Sequence, residues 1–399
     1  MNDTVAAPTS FEPGAATAAG TIPLCVPSIC GNEWLYVKEC LDTEWVSSVG
    51  PFVDRFERLV ADYVGTQYAV ATSSGTAALH IALLVSGVQP DDEVLLPSLT
   101  FIAPANAIRY AGGWPVFIDS EPAYWQMDTQ RALDFLNREC TWREGKLINR
   151  STRRRIRAIM PVHILGHPVD IDPLLEIAEK YDLVIIEDAT ESLGAEYKGR
   201  KVGHLGHTAC LSFNGNKIIT TGGGGMIVTD NAEWSRKAKY LTTQAKDDPI
   251  EYVHREIGFN YRLTNVQAAM GCAQMEQLPH FIEVKRSIAE TYRKGLAERA
   301  GITTMAQAPW ARSIFWLNTI LIDEKKYGMD SRALMKDLAQ HGIQARPLWQ
   351  PLHKSSAHLH AQSAGGDVAS QLNRQALSLP SSVGLRAEDL ELVIRTVAQ

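Results

Sequence analysis

The stretch LVIIEDATESLGA, residues 183–195, decides the fold. Its four leading apolar residues form a short continuous run, the pattern of a strand covered on both faces in a parallel sheet. An acid, Asp188, closes the run. Ligands of open α/β sheets bind beyond the carboxyl ends of the strands, so Asp188 stands where chemistry is done. A carboxylate there can hold a metal, a ribose or a protonated pyridine, and it can equally cap the next helix. Glu187 beside it leaves that choice open.

Outward from this run the chain alternates. Phe52 to Tyr63 carries helical spacing, Tyr68 to Ala71 reads as a strand, and AALHIALLVSG follows as a helix. Further strands are expected at Glu93–Leu96, Val116–Asp119, Arg157–Val162, Ala209–Phe213 and Met226–Thr229, with helices at Pro104–Ala111 and PLLEIAEKY. Such repetition predicts an α/β fold with a mainly parallel sheet. After about residue 279 the rhythm changes. The helix PHFIEVKRSIAETYRKGLAERA, the strand-like FWLNTILI and helices at Ser331–His341 and Arg386–Val397 predict a small α+β domain. The division expected is a disordered tail over 1–20, a large domain over 21–278 and a small C-terminal domain over 279–399. The basic stretch REGKLINRSTRRRIR reads as a solvated surface hairpin or loop rather than a ligand patch.

A second stretch, LSFNGNKIITTGGGGMIVTD (residues 211–230), sets Lys217 between two strands, flanked by a hydroxyl and four glycines. Most lysines are solvated surface groups. The glycine run follows the lysine and opens no helix, so it is no dinucleotide fingerprint, and no GK[ST] is present for a phosphate-binding Walker loop. Glycines here let the backbone turn tightly beside a bulky ligand. A third stretch, Ser73-Ser74-Gly75-Thr76, lies between a strand and a helix, where backbone N–H groups attract phosphate. Phosphate turn, acid and lysine together match pyridoxal 5'-phosphate (PLP), which needs an imine-forming lysine, an acid at its ring nitrogen and a phosphate cradle.

The strings SSGTAALHIAL, LPSLTFIAPANAI, PVHILGHPVDID, IIEDATESLGA, SFNGNKIITTGGGG and GFNYRLTNVQAA resemble the DegT/DnrJ/EryC1/StrS sugar aminotransferases over about residues 22–355. The resemblance implies the aspartate-aminotransferase fold (fold type I), with a large seven-stranded, mainly parallel sheet domain. It makes Lys217 the Schiff-base lysine and Asp188 the partner of the ring nitrogen. It assigns Gly75, Thr76 and Ser212 to the phosphate, and Phe101 to the pyridine face. Asn260 would reach the phosphate from the neighbouring subunit, in a homodimer with shared active sites. Many members carry Gln or His three residues after the aspartate; here it is Glu191, whose carboxyl beside a phenolic oxygen needs a proton or another partner, unless it caps a helix. Related dehydratases replace the lysine with histidine, and this chain keeps Lys217. The strings CGNEWLYVKECLDTEWVSSVG, TTQAKDDPIEYVHREIGFNYR and RPLWQPLH resemble enzymes of legionaminic-acid and bacillosamine-type pathways. Glutamate would then donate an amino group to C4 of a nucleotide-linked 4-keto-6-deoxy sugar, a UDP-4-keto-6-deoxy-N-acetylhexosamine. A GDP-perosamine-synthase-like enzyme acting on GDP-4-keto-6-deoxymannose is the alternative, and a non-catalytic PLP-binding regulator a third. Trp45, Ser48, His163, Arg346, Trp349 and His353 are the substrate-binding candidates.

Composition agrees with a soluble globular protein. The 399 residues carry a net charge of −6, which gives no electrostatic case for nucleic acid or an anionic membrane. No apolar run reaches the length of a membrane span, and residues 1–20 lack the pattern of a signal peptide. None of the six cysteines forms a CxxC pair, which speaks against a zinc site or a disulfide framework and for the reducing cytoplasm. Asn149-Arg150-Ser151 matches a glycosylation sequon, a triplet common by chance.

Overall fold

The computed structural model describes residues 20–248 and 250–399; the expected tail, but for Gly20, lies outside the described residues. The sheet order of the large domain is Tyr68–Thr72, Gly225–Thr229, Thr208–Ser212, Val184–Asp188, Arg155–Ile159, Glu93–Pro97 and Trp114–Ile118. Gly225–Thr229 runs antiparallel to both neighbours, and the other pairings are parallel. These are the seven strands expected. Ser363–Ala364 adds a parallel strand beyond Trp114–Ile118, and a hairpin of Cys140–Arg143 with Lys146–Asn149 hooks onto Arg155–Ile159.

Apolar burial drives this assembly. Ile185 and Ile186 are fully buried, each side chain contributing about 1.5–3 kcal/mol relative to exposure. The helix Gly75–Val85 is buried from Ala77 to Leu83, so it lies inside the molecule rather than on it. The Ser74 side chain starts that helix by accepting the Ala77 N–H at 3.1 Å.

The small domain holds a four-stranded antiparallel sheet, ordered Ile302–Thr304, Asn318–Ile322, Ala376–Leu379 and Arg346–Pro347. The long helix expected from Pro279 begins fourteen residues earlier, at Asn265, and runs to Gly295 with Pro279 inside it. Its start is a capping box: Thr264 accepts the Gln267 N–H while the Gln267 side chain reaches back. The helix crosses the expected 278/279 division. Phe281 and Ile282 belong to the large core, whereas Ile288 and Tyr292 belong to the small one. The chain trades segments in both directions: Ile22 packs into the small core, and Leu348, Leu352 and Leu372 pack into the large one.

The basic stretch is structural. Arg155 clasps Asp92, Arg157 donates to the Ser86 carbonyl, and the Trp114 ring lies under both Arg109 and Arg154 at 3.7 and 4.2 Å. No described helix is long and apolar enough to cross a membrane.

Candidate active site

Because the parallel strands share a direction, their carboxyl ends gather on one edge of the sheet. Asp188 ends one strand and Ser212 the next; Ser73 follows a third and Phe101 a fourth. Strand alternation sends Glu187 and Asp188 to opposite faces. Glu187 is fully buried. It accepts the backbone N–H groups of Gly203, Leu205 and Gly206 at 2.8–3.0 Å, and lies 3.0 Å from His163 Nε2. His163 Nδ1 accepts the Val169 N–H at 3.0 Å, so Nε2 carries the hydrogen and donates it to Glu187. Both ring nitrogens are thus committed inside the protein. His163 has none left for a sugar, which removes it from the expected substrate contacts.

Asp188 is 2% exposed, and its Oδ1 accepts the Thr190 N–H at 3.1 Å. Burial pushes its carboxyl above the usual range, opposed by the Thr190 bonds and the nearby Lys217 cation. A cationic partner is what such a buried carboxylate calls for. Lys217 Nζ lies 3.6 Å from Glu191 Oε1 and 4.2 Å from the Trp316 ring. Glu191 caps no helix. Its Oε2 instead accepts the Leu165 N–H at 2.9 Å, in a turn where Leu165 itself adopts a left-handed φ of 58°. Burial raises the Glu191 carboxyl too, against the pull of Lys217. It therefore holds its proton more tightly than an ordinary glutamate.

The turn before helix Gly75–Val85 packs against the same edge. A Cβ on Gly75 would meet Ser212 Cβ at 2.9 Å and Thr190 Cγ2 at 3.2 Å. A Cβ on Gly225 would meet the Ser74 carbonyl oxygen at 2.4 Å. Gly225, the last of the glycine run, thus makes room for the protein's own backbone and lets the helix N-terminus lie against Ser212. Thr76 is half-buried there. A helix N-terminus, a hydroxyl, a buried acid and a lysine on one strand edge form the donor set that PLP requires.

The remaining expected residues lie around this edge or apart from it. Phe101 is 55% exposed, leaving its ring free to stack. Asn260 is exposed on the segment that pairs with Thr243. Trp45 and Ser48 lie in a loop held by Asn265, whose side chain donates to the Trp45 carbonyl at 2.7 Å and accepts the Phe52 N–H at 3.0 Å. Trp349 and His353 flank Leu352, whose N–H reaches the Ser98 carbonyl just past the Glu93–Pro97 strand. His353 Nδ1 is buried without a partner, while Arg346 is exposed. Sequence reading missed Trp316, Leu165 and Asn265. Asn265 had a signal, since it is the first residue after a cap; the approach of Trp316 to Lys217, across 99 positions, had none.

Residues 27–398 match the model of the DegT/DnrJ/EryC1/StrS aminotransferase family. The chain is 38% identical to GDP-perosamine synthase of Caulobacter vibrioides, covering 95% of this chain and 98% of that one. It is 36% identical to GDP-perosamine synthase of Escherichia coli O157:H7, over 94% and 97%. Among solved structures, DesV of S. venezuelae, in complex with a ketimine intermediate, superposes with a TM-score of 0.82 at 30% identity, over 92% and 93% of the two chains. With a lysine, a buried acid and a helix-opening turn on one strand edge, the chain belongs to the DegT/DnrJ/EryC1/StrS family and is a PLP-dependent sugar aminotransferase.

Proposed function

We propose that this enzyme moves the amino group of glutamate to C4 of a nucleotide-linked 4-keto-6-deoxy sugar, and that the sugar is GDP-4-keto-6-deoxymannose. The identity to GDP-perosamine synthases over nearly the whole of both chains carries this reading. It favours the GDP sugar over the UDP-linked N-acetylhexosamine that the subgroup strings pointed to. Six free cysteines agree with work in a reducing cytoplasm.

When bound, PLP supplies an aldehyde that takes up the amino group and a ring that draws electrons from the adjoining carbon. The protein's part is to bind, orient and move protons. Lys217, 13% exposed beside Trp316 and Glu191, is the general base and acid in both half-reactions. Asp188 keeps the ring nitrogen protonated. Gly75, Thr76 and Ser212 hold the phosphate, with Phe101 on the ring face. Glu191, protonated, donates to the phenolic oxygen. Asn260 completes the site of a neighbouring subunit. Trp45, Ser48, Arg346, Trp349 and His353 face the sugar nucleotide. Exposed apolar side chains on and after helix Glu33–Asp42, including Trp34, Leu35, Leu41 and Val49, support a homodimer.

The test offers the PLP-loaded enzyme glutamate with GDP-4-keto-6-deoxymannose or UDP-4-keto-6-deoxy-N-acetylhexosamine, reading the aminosugar by mass spectrometry. At least tenfold higher kcat/KM for the GDP sugar is expected. Turnover of the UDP sugar alone would return the assignment to the other branch. Loss of the visible absorption of lysine-bound cofactor on adding glutamate separates both from a non-catalytic relative.

A further inference from the structure

Lys285 is a fully buried lysine on the helix Asn265–Gly295. Its Nζ donates to the Trp316 carbonyl at 2.9 Å, to the Ser381 carbonyl, and to Cys25 Sγ at 3.4 Å. Cys25 in turn donates its S–H to the Asn216 carbonyl at 3.4 Å, the residue before Lys217. That carbonyl also accepts the Trp316 indole N–H at 2.7 Å. A thiol and an amine are thus held in contact, bonded to the turn that carries the Schiff-base lysine.

Other features of the pair favour reaction. Among the described residues no carboxylate acts on Lys285, and burial lowers its ammonium below the usual lysine range, which raises the share of free amine. Cys25 is half-buried, so a small oxidant can reach it. The buried thiols are poor competitors: burial pushes Cys140 and Cys272 each up to about 12, and Cys210 well up.

We propose that Cys25 and Lys285 form a reversible redox crosslink, with hydrogen peroxide as oxidant. The Cys25 sulfur attacks the peroxide, whose O–O bond breaks. The thiol is oxidised to a sulfenic acid, and the peroxide is reduced to water. The Lys285 amine then attacks the sulfur. An S–N bond forms, the S–O bond breaks, and a second water leaves with the amine's proton. The product lacks two hydrogens relative to the thiol and amine. A dithiol restores both groups, itself becoming a disulfide. Because Cys25 loses its S–H, the Asn216 carbonyl loses a donor, and turnover falls while the crosslink stands. That last step rests on Lys217 being catalytic; the crosslink itself does not.

The test treats the PLP-loaded full chain with peroxide. A tryptic pair is expected that joins the peptides of Cys25 and Lys285, two hydrogens lighter than their sum and dissolved by dithiothreitol. It disappears in Cys25→Ser. The spectrum of the unsubstituted protein decides, so a Lys285 variant that fails to fold does not matter. A Cys25 sulfenic acid trapped by dimedone with Lys285 unmodified would overturn the proposal. So would a Cys25–Cys30 disulfide, or no reaction at Cys25. A crosslink that leaves turnover unchanged would overturn the coupling to Lys217.

Discussion

Lys217 and Glu191 make the sharpest residue-scale expectations. Lys217→Ala should lower turnover by about 10³-fold, the middle of the range for a lost general acid–base, while the protein still retains PLP on dialysis. Retained turnover would remove Lys217 from the chemistry. Glu191 separates two protonation states. Its folded value is raised above the usual carboxylate range by burial, against Lys217 and the Leu165 N–H. The neutral acid, the form proposed to donate, is thus lost as pH rises through that raised value. The wild-type rate should fall on this limb, whereas Glu191→Gln, permanently neutral, should lack it and keep activity within about tenfold. Identical pH profiles for the two proteins would refute the role. Asp188 and Lys217 were legible because each sits where a local pattern, the end of an apolar run or a lysine between strands, is unusual. Trp316 and Leu165 were not: one reaches Lys217 only through the tertiary fold, and the other acts through a backbone N–H that no side chain advertises.

At the scale of elements, the strand ends are held by polar bonds that can be tested as stability. Burial alone would raise the Glu187 carboxyl, but His163 and the backbone donors outweigh it and hold the group below its usual value of 4.5. A depressed carboxyl stabilises the fold fully above its unfolded value and loses that contribution as pH falls through the folded one. Glu187→Gln should therefore cost roughly 2–3 kcal/mol at neutral pH, and the gap in Tm to wild type should narrow below about pH 4.5. A gap constant with pH would show that the charge is immaterial. Gly75→Ala drives a methyl toward Ser212 and Thr190. It should cost about 1–3 kcal/mol by overpacking and weaken PLP retention at least tenfold, read by fluorescence titration. Unchanged PLP affinity would mean that the turn is no cradle. The strands themselves were legible, since Val184–Asp188 and Thr208–Ser212 overlap the apolar runs that foretold them. The helix from Asn265 was not, because Pro279 imitates a helix start and masks the true cap at Thr264.

For the whole molecule, the expected division at 278/279 falls inside the helix Asn265–Gly295, and local patterns carried no sign of how the chain stitches its two sheets together. Ile22 and Ile343 pair across more than 300 positions, a contact set by the tertiary fold with no trace in either neighbourhood. The same holds for assembly. Asn260 is exposed on its own chain, and the role proposed for it, at the phosphate of a neighbouring site, needs a second copy. If sites are shared, a Lys217→Ala chain and an Asn260→Ala chain each lack one half of every site in their own dimers. In a mixed dimer, one site joins both defects while the other joins the intact Lys217 of one chain to the intact Asn260 of its partner. Equal mixing after reversible dissociation makes half the dimers mixed, each with one working site of two. Activity should then recover to about a quarter of wild type. If Asn260 served its own chain's site, every site in the mixture would keep one defect, and mixing would restore nothing.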